Sequence, residues 1–280
     1  MQVVKHISEL REILGKEKKE GKKIGFVPTM GALHPGHISL VEKAGLCTDF
    51  VVVSIFVNPN QFNDKEDLKR YPRDLNKDLT LLGPTACRLV FAPEVDEVYP
   101  EPDTRQFDFG ALETVMEGKH RPGHFNGVAQ VVSKLFEMVQ PDKAFFGLKD
   151  FQQLVIIKSL VKKLTLPVEI VPCDIVREAD GLAMSSRNML LDAVQRENAA
   201  HISQTLFEAR NKKWEMTVKE VCEWVVAQIN ENNYLKVEYF EIVDDEKLQP
   251  VTSWNDPVNK VGCIAVHCGK IRLIDNIIFN

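Results

Sequence analysis

The sequence predicts an α/β fold, in which a doubly wound parallel sheet is followed by a smaller C-terminal α+β domain. Between residues 24 and 176, short apolar runs alternate with stretches of helical periodicity, a pattern typical of βαβ units. Residues 50–57, FVVVSIFV, are almost continuously apolar and β-branched, as expected for a central strand that is buried on both faces. After residue 177 the order changes to two long helical stretches followed by strand-like segments, which indicates a second domain.

The elements of the first domain follow from apolar periodicity and from turn residues. The first predicted strand, 24–27, stops at Pro28, and a Gly-rich turn then leads into a helix with apolar residues from Ile38 to Ala44. An amphipathic surface helix precedes this strand and has its apolar positions at Val4, Ile7, Leu10 and Leu14. The remaining predicted elements are a helix ending near Leu82, a strand at 89–92, a helix at 128–139, a strand at 143–146, a helix at 151–164 and a strand at 168–171.

The second domain is predicted from two helices and three strands. Gly269-Lys270 lies between two of the apolar runs and reads as a two-residue hairpin turn. The predicted helices are 192–210 and 218–230, and the predicted strands are 237–243, 262–268 and 271–274. We therefore place the domain boundary between residues 176 and 177, with domains 1–176 and 177–280.

Composition excludes several classes of protein. The formal net charge is −5, so no broad basic surface is expected for nucleic acid or for an anionic membrane. The 6 cysteines form no CxxC pair, and we interpret them as reduced core thiols. No apolar run reaches the roughly 18 residues of a membrane span, and the N-terminus carries no signal-like apolar region. We expect a soluble cytoplasmic protein.

The loop after the first strand carries the strongest chemical signal. His34 and His37 flank a Pro-Gly pair where a parallel strand passes into a helix. Such a helix N-terminus binds anions, and two imidazoles add hydrogen-bond donors for phosphate oxygens. Zinc helices instead use HExxH, with histidines four residues apart, so a metal site fits less well. A pair of surface histidines at a helix start stays open as an alternative.

A second motif with polar and basic residues, Met184-Ser-Ser-Arg-Asn188, follows Asp180-Gly181 at the predicted domain junction. Neither a Walker P-loop nor a GxGxxG fingerprint occurs in the chain, so the phosphate site is of the HxGH kind. The HxGH tetrapeptide resembles that of the nucleotidyltransferases and class I aminoacyl-tRNA synthetases. This resemblance implies a second element, a flexible loop with Ser, Lys or Arg that closes on the phosphates, and residues 184–188 fit it. A Ser-rich helix cap is the alternative.

Six motifs together resemble the pantoate–β-alanine ligase family over essentially the whole chain. They are PTMGALHPGH (28–37), SIFVNPNQF (54–62), YPRDLNKD (71–78), KHRPGHFNGVAQVV (119–132), FFGLKDFQQL (145–154) and DGLAMSSRN (180–188). The resemblance implies ATP-dependent condensation of (R)-pantoate with β-alanine through a pantoyl adenylate, releasing AMP and diphosphate. It also implies a Rossmann-like N-terminal domain that binds nucleotide and pantoate, a C-terminal lid domain, and a cytoplasmic homodimer.

The resemblance also assigns site residues, one by one. It places His34, His37, Lys149 and Arg187 in catalysis. It gives Gln61 and Gln153 to pantoate, because an amide offers both a donor and an acceptor. Arg121 and His124 are expected to hold the carboxylate of β-alanine, and Asp78 is nominated for Mg²⁺ bound with ATP. The ATP site comprises Met30, His34, His37, Gly147, Leu148, Lys149, Asp150, Val176, Met184, Ser185, Ser186 and Arg187.

For some of these residues a structural interpretation stays open. The two glutamines could be ordinary surface residues, Arg121 could be a salt-bridge partner, and Asp78 could be a solvated helix carboxylate. The chain also departs from the family at Leu148, where Gly-Glu-Lys-Asp is common, so one carboxylate is missing from the nucleotide motif.

Three other functions compete with this interpretation. An adenylyltransferase of the same fold would share HxGH but has no reason to carry NPNQF or KDFQQL. A fragment that charges tRNA would need a tRNA-binding domain, for which the length and the charge leave no room. A nucleotide-sensing module would keep the phosphate site and lose the reactants. We expect small-molecule substrates, with no nucleic acid or membrane partner.

Overall fold

The computed structural model describes residues 1–62, 68–69 and 71–279, and the chain forms two compact units. Unit 1 comprises Met1–Phe109, Arg121–Leu148 and Ile156–Asp174. Unit 2 comprises Gly110–His120, Lys149–Val155 and Ile175–Asn280. Two short segments from the N-terminal part of the sequence therefore belong to the C-terminal unit, which the sequence pattern does not indicate.

Unit 1 contains the predicted parallel sheet, so the fold class is confirmed. The sheet has six strands in the order β1-β4-β3-β2-β5-β6, and all of its pairs are parallel. The central strands β2 and β3 are buried over most of their length because helices cover both faces, which explains their continuous apolar sequence. The strands are β1 (Gln2–Val4), β2 (Ile24–Thr29), β3 (Phe50–Ile55), β4 (Cys87–Phe91), β5 (Lys143–Gly147) and β6 (Glu169–Cys173).

The helices of unit 1 connect these strands. α2 has Pro at its first turn and packs Leu40, Val41 and Ala44 into the core between helix and sheet. Short 3-10 helices lie at Pro59–Gln61 and Leu148–Asp150. The α-helices are α1 (Ile7–Lys19), α2 (Pro35–Cys47), α3 (Leu75–Leu82), α4 (Val95–Val98), α6 (His124–Val139) and α7 (Phe151–Lys163, whose first five residues belong to unit 2), with α5 (Met116–His120) lying in unit 2.

Unit 2 contains a three-stranded antiparallel sheet in the order β7-β8-β9. Cys268 pairs with Ile271 across Gly269, whose φ of +59° suits a tight hairpin, so the predicted turn is confirmed. Helices α9 and α10 pack on the sheet through Leu206, Val221 and Val225. The remaining elements are α8 (Ala193–Ala199), α9 (His201–Lys212), α10 (Val218–Asn230), β7 (Leu235–Asp244), β8 (Lys260–Cys268) and β9 (Ile271–Phe279), with 3-10 helices at Gly110–Glu113 and Ser186–Leu190.

Some sequence-based expectations were wrong. Val4 belongs to strand β1, which pairs with β4, rather than to the first helix; a partner more than 80 residues away leaves no local signal. The predicted helix 192–210 is interrupted at Ala200, and no Gly or Pro marks the break. Cys47 is exposed, whereas Cys87, Cys173, Cys263 and Cys268 are buried and Cys222 is half-buried, so the description as core thiols fails for Cys47. Within the described residues, no helix combines the length and the apolar character that a membrane span requires.

Candidate active site

The loop after β2 has a backbone conformation that favours glycine. Gly31 has a φ of +76°, and a Cβ there would lie 2.9 Å from Asp78 Oδ2. Thr29 fixes the start of the loop, because its hydroxyl donates to the carbonyl of Ser54 at 2.7 Å and accepts from the Gly31 amide at 3.2 Å. Ala32 follows at a φ of +50°, so two successive residues turn the chain toward α2.

Asp78, on α3, anchors the loop after β2 through hydrogen bonds. Its carboxylate accepts hydrogen bonds from the amides of Ala32 at 3.0 Å and Leu33 at 2.7 Å. The residue is 2% exposed, so the alternative of a solvated helix carboxylate is wrong. Burial raises the pKa of Asp78, while the two amide hydrogen bonds oppose that rise. The geometry favours Asp78 as the support of the histidine loop.

The two histidines of the loop form the start of α2. His34 is the N-cap, and its Nδ1 accepts from the Gly36 amide at 3.2 Å. His37 Nδ1 accepts from the His34 amide at 3.4 Å, and the two ring centroids lie 4.1 Å apart. Because both Nδ1 atoms act as acceptors, each neutral ring carries its proton on Nε2. The pair therefore offers two N–H donors at a helix N-terminus, which suits an anion.

Gln61 is positioned by a second buried network in unit 1. Asn58, which is fully buried, donates to Gln61 Oε1 at 3.2 Å and to the carbonyl of Gly127 at 3.1 Å. Gln61 Nε2 lies 2.9 Å from the Sδ of Met30, so these two predicted site residues are in contact. Gly127 allows the close approach of α6, because a Cβ there would lie 2.3 Å from the carbonyl oxygen of Asn60. Gln61 is 9% exposed and is therefore no ordinary surface glutamine.

Arg121 and His124 are also in contact. His124 Nδ1 lies 2.9 Å from the carbonyl oxygen of Gln61, and its Nε2 lies 3.1 Å from a guanidinium nitrogen of Arg121. A carbonyl only accepts and a guanidinium only donates, so His124 is neutral with its proton on Nδ1. The imidazole therefore orients Arg121, and this geometry favours Arg121 over His124 as the group that contacts a carboxylate.

In unit 2, residues 176–184 form a tight hairpin that leads into the Ser-Ser-Arg segment. The Met184 amide donates to the carbonyl of Val176 at 3.0 Å, and Gly181 makes the turn with a φ of +94°. Ser185 then caps the 3-10 helix Ser186–Leu190 by accepting from the Arg187 amide at 3.2 Å. The hairpin thus places Val176, Met184, Ser185, Ser186 and Arg187 in one part of unit 2.

Lys149 lies at the start of the Lys149–Val155 segment of the same unit. Its side chain is 17% exposed, and its Nζ lies 3.6 Å from the carboxylate of Asp150. Asp150 is half exposed, so this ion pair contributes little. The carbonyl of Lys149 accepts from the amide side chain of Asn276, on β9, at 3.0 Å.

The two neighbouring glutamines of α7 have different surroundings. Gln152 is buried, accepts from the Glu117 amide at 2.9 Å, and donates to the carbonyls of Leu112 at 2.8 Å and Val115 at 2.9 Å. It therefore holds the Gly110–His120 segment in place. Gln153 is half-buried, so part of its surface is accessible to solvent.

The described residues offer no dedicated metal site. Among them, no group of three or more His, Cys, Asp or Glu side chains is arranged to hold a metal ion. Asp78 alone does not make such a site, because both of its carboxylate oxygens already accept backbone hydrogen bonds.

Comparison with known proteins identifies the family. A family model described as pantoate–β-alanine ligase matches residues 2–278. The chain belongs to the pantoate–β-alanine ligase family. A pantothenate synthetase of Phocaeicola vulgatus is 56% identical over 278 residues, and one of Porphyromonas gingivalis (strain ATCC BAA-308 / W83) is 54% identical over 277 residues, each with 99% of both chains covered.

Solved structures of the family share the fold. The crystal structure of pantothenate synthetase from Thermus thermophilus has a TM-score of 0.92 at 43% identity and covers 99% of both chains. The pantoate–β-alanine ligase of Francisella tularensis, solved as a complex with β,γ-ATP and β-alanine, has a TM-score of 0.83 at 35% identity, with 100% of this chain and 98% of that chain covered. The present ligase is therefore an enzyme that joins pantoate and β-alanine through an amide bond.

Several supporting residues of this ligase had no signal in the sequence. Asn58 and Gln152 lie inside recognised motifs, but nothing in the sequence separates a buried amide from one that binds substrate. Arg177, Asp275 and Asn276 lie outside the residues assigned to the site, and the structure shows them in contact with its segments. The pairing of Arg177 with Asp275 joins residues nearly 100 positions apart, so sequence periodicity could not reveal it.

For this ligase we expect Asp78→Asn to lower the turnover number by up to about 100-fold, with folding retained. The asparagine amide still accepts one hydrogen bond from the histidine loop, but its NH₂ group then faces the second backbone amide, which is also a donor. The lost hydrogen bond costs about 1–3 kcal/mol, and the loop shifts so that the histidines are misplaced. Steady-state kinetics and thermal unfolding measure the two effects. Asp74→Asn is the control, because Asp74 caps α3 by accepting from the Lys77 amide and asparagine also caps helices. Equal activities in the two variants would contradict the role of Asp78.

Proposed function

We propose that this ligase makes its amide bond in two steps. In the first, a carboxylate oxygen of pantoate attacks the α-phosphorus of ATP, and diphosphate leaves with the bonding electrons. In the second, the amine of β-alanine attacks the acyl carbon of the pantoyl adenylate and loses a proton, and AMP leaves. The observation that carries this proposal is the pair of imidazole N–H donors at the N-terminus of α2.

The first step needs in-line positioning and charge stabilisation more than covalent help from the protein. His34 and His37 offer Nε2–H donors to phosphate oxygens, where charge increases in the transition state. From unit 2, Lys149 supplies a positive charge and Arg187 supplies a planar fork of N–H donors for the phosphates. Main-chain groups of Gly147, Leu148 and Asp150 supply further nucleotide contacts in this proposal. The remaining contacts come from Met30, Val176, Met184, Ser185 and Ser186.

Leu148 is compatible with this assignment. It begins the 3-10 helix Leu148–Asp150, in which it occupies the position of the family's glutamate. A nucleotide held by main-chain groups and by Lys149 needs no carboxylate at this position. We therefore assign no chemical step to residue 148.

Pantoate is proposed to bind Gln61 and Gln153. The side-chain amide of Gln61 donates one N–H to the Sδ of Met30 and accepts one hydrogen bond from Asn58 at Oε1. It therefore retains one further N–H donor and one further acceptor lone pair. Those two groups suit a hydroxyl and a carboxylate of the acid.

Gln153→Ala is expected to weaken pantoate binding by about 1–3 kcal/mol and to leave ATP binding unchanged, because a polar ligand loses one of its hydrogen-bond partners. The Michaelis constants for pantoate and ATP measure this difference. Gln152→Ala is the matched control: it removes three hydrogen bonds within unit 2 and should lower the melting temperature without a selective effect on pantoate. If Gln153→Ala raised both Michaelis constants equally, Gln153 would be assigned to the fold.

β-Alanine is proposed to bind through its carboxylate to Arg121, which His124 orients. The complex of the Francisella tularensis relative with β-alanine supports β-alanine as the amine that this site accepts.

Mg²⁺ is proposed to enter with ATP. Most of its ligands would be phosphate oxygens and water, because Mg²⁺ keeps several waters and the described residues present no carboxylate cluster. The ion would neutralise phosphate charge. The nomination of Asp78 as a ligand stays a prediction.

The homodimer, the cytoplasmic location and the roles of the two predicted domains also remain predictions. Analytical ultracentrifugation measures the first, since a dimer doubles the mass of 31.8 kDa.

The two-step route is tested by exchange of labelled diphosphate into ATP. With ATP, Mg²⁺ and pantoate alone, the wild-type enzyme should catalyse exchange, since the first step is complete and reversible before the amine binds. Arg121→Ala should keep this exchange and raise the β-alanine concentration needed for the full reaction. Exchange that appears only when β-alanine is present would overturn the adenylate route.

A further inference from the structure

Two consecutive residues of the last strand, Asp275 and Asn276 of β9, contact two separate segments that carry the proposed phosphate-binding residues. Both residues are 4% exposed. Asn276 donates from Nδ2 to the carbonyl oxygen of Lys149 at 3.0 Å. The backbone of Lys149 is thereby attached to a strand more than 120 residues away, at the residue whose ammonium group is proposed to meet the phosphates.

Asp275 binds the second segment through Arg177. The two side chains form a bidentate ion pair, with N–O distances of 2.6 and 3.0 Å. The same guanidinium donates to the carbonyls of Gly181 at 3.1 Å and Asn276 at 3.3 Å, and it lies 4.9 Å from the ring centroid of Phe207. One arginine therefore connects β9 to both the first strand and the turn of the 176–184 hairpin.

This hairpin fixes the start of the 3-10 helix that contains Arg187. Met184 pairs with Val176 at its end, Ser185 caps the next turn, and Asn188 donates back to the carbonyl of Ala183 at 3.1 Å. The 3-10 helix that contains Arg187 also packs against β9. A shift of the hairpin would move the guanidinium of Arg187 together with the serines.

We propose that Asn276 and the Arg177–Asp275 ion pair are positioning residues for the phosphate-binding groups, holding the backbone of Lys149 and the hairpin before Arg187 on one strand. This inference rests on the proposed function, since it takes from it the roles of Lys149 and Arg187. Phosphoryl and nucleotidyl transfer depend strongly on placement, and an error of about 1 Å can cost about 100-fold in rate. Bonds that fix these two segments therefore act on catalysis as well as on stability.

A purely structural role is the competing explanation, and unit 2 contains a matched control for it. Lys260, on β8, is also buried, and its Nζ donates to the carbonyls of Asp256 and Val258, each at 2.6 Å. It pairs with Asp244 on β7 and with Phe279 on β9, at the end of the sheet. Lys260→Met therefore removes buried hydrogen bonds from the same sheet without moving Lys149 or the hairpin.

The test compares Asn276→Ala, Arg177→Lys and Lys260→Met with the wild-type enzyme. Arg177→Lys keeps the charge and loses the two-pronged geometry, so it guards against a failure of Asn276→Ala to fold. Melting temperature, the turnover number for pantothenate formation and the rate of diphosphate exchange are measured well below every unfolding transition. We expect Asn276→Ala and Arg177→Lys to lower turnover and exchange about 10- to 100-fold. Lys260→Met should lower the melting temperature and keep both rates within about twofold of wild type.

Normal turnover in the two positioning variants would overturn the inference, as would an equal loss of turnover in Lys260→Met. Failure of the proposed route has a different signature, because the wild-type enzyme itself would then give no exchange without β-alanine. In that case the turnover number for pantothenate formation, compared between the variants and the wild type, still tests the positioning role.

Discussion

His37→Ala is expected to slow formation of the pantoyl adenylate by about 100- to 1,000-fold, while the protein remains folded. Loss of one preorganised donor to a developing charge costs about 3–4 kcal/mol in the transition state. The Nδ1 atom of His37 also accepts a hydrogen bond from the His34 amide at 3.4 Å. This long capping bond contributes much less to the stability of the fold than the lost donor costs in the transition state. Diphosphate exchange measures the chemical step, and circular dichroism measures the fold.

Two variants separate the chemistry of His37 from its capping role. Ser39→Ala removes a hydroxyl that donates to the Gly36 carbonyl at 2.8 Å in the same turn of α2, so it perturbs the helix start without removing an imidazole. We expect its exchange rate to stay near that of the wild type. His37→Gln keeps an acceptor and a donor and should recover part of the lost rate. If Ser39→Ala and His37→Ala were equally slow, the effect would belong to the helix terminus.

The position of the histidine loop could be predicted from the sequence, whereas its support could not. An apolar run before Pro28, followed by glycines and a helical pattern, is a local signal for strand, turn and helix, and the structure confirms this order. The hydrogen bonds that Asp78 accepts from the amides of Ala32 and Leu33 join residues 46 and 45 positions apart in the sequence. No periodicity reports a contact of this kind, so the sequence nominates Asp78 for Mg²⁺ from its acidic position after Tyr71-Pro-Arg73 and gives no sign of its role in the loop.

The glutamines show a related limit. Gln152 and Gln153 are adjacent and chemically identical, and the motif alone assigned only the second to pantoate. The structure separates them by environment, because the helix turns Gln152 toward the carbonyls of the Gly110–His120 segment. That segment belongs to unit 2 although its sequence lies within the predicted first domain. Its packing is a tertiary contact that the strand and helix pattern does not encode.

The edges of the elements were the least predictable feature. β9 continues to Phe279, whereas apolar alternation indicated its end at residue 274, because Asp275 and Asn276 interrupt the pattern. Both are buried polar residues whose bonding partners lie elsewhere in the chain. A buried polar residue that binds a distant segment therefore resembles a turn residue in the sequence.

Arg187→Ala is expected to abolish diphosphate exchange, which makes it the most severe single change proposed for unit 2. In the proposed complex the guanidinium offers several N–H donors to the phosphates, and alanine removes this compensation of their negative charge. Because charge on the leaving diphosphate increases during the step, the loss appears in the rate as well as in ATP binding. Arg187→Lys keeps the charge but not the fork, and should recover only a small part of the rate.

Arg196→Ala is the matched control for this arginine. Arg196 lies in the same unit and forms an ion pair of 2.5 Å with Asp180 in the same hairpin, but both side chains are about one-third exposed. Pairs of this kind contribute at most about 1 kcal/mol, so we expect nearly normal exchange and a small drop in melting temperature. If Arg196→Ala lost exchange to the same degree as Arg187→Ala, the arginines would act by holding the hairpin. Retained exchange in Arg187→Ala would remove its guanidinium from the phosphate site and leave Lys149 as the cation proposed for the diphosphate from unit 2.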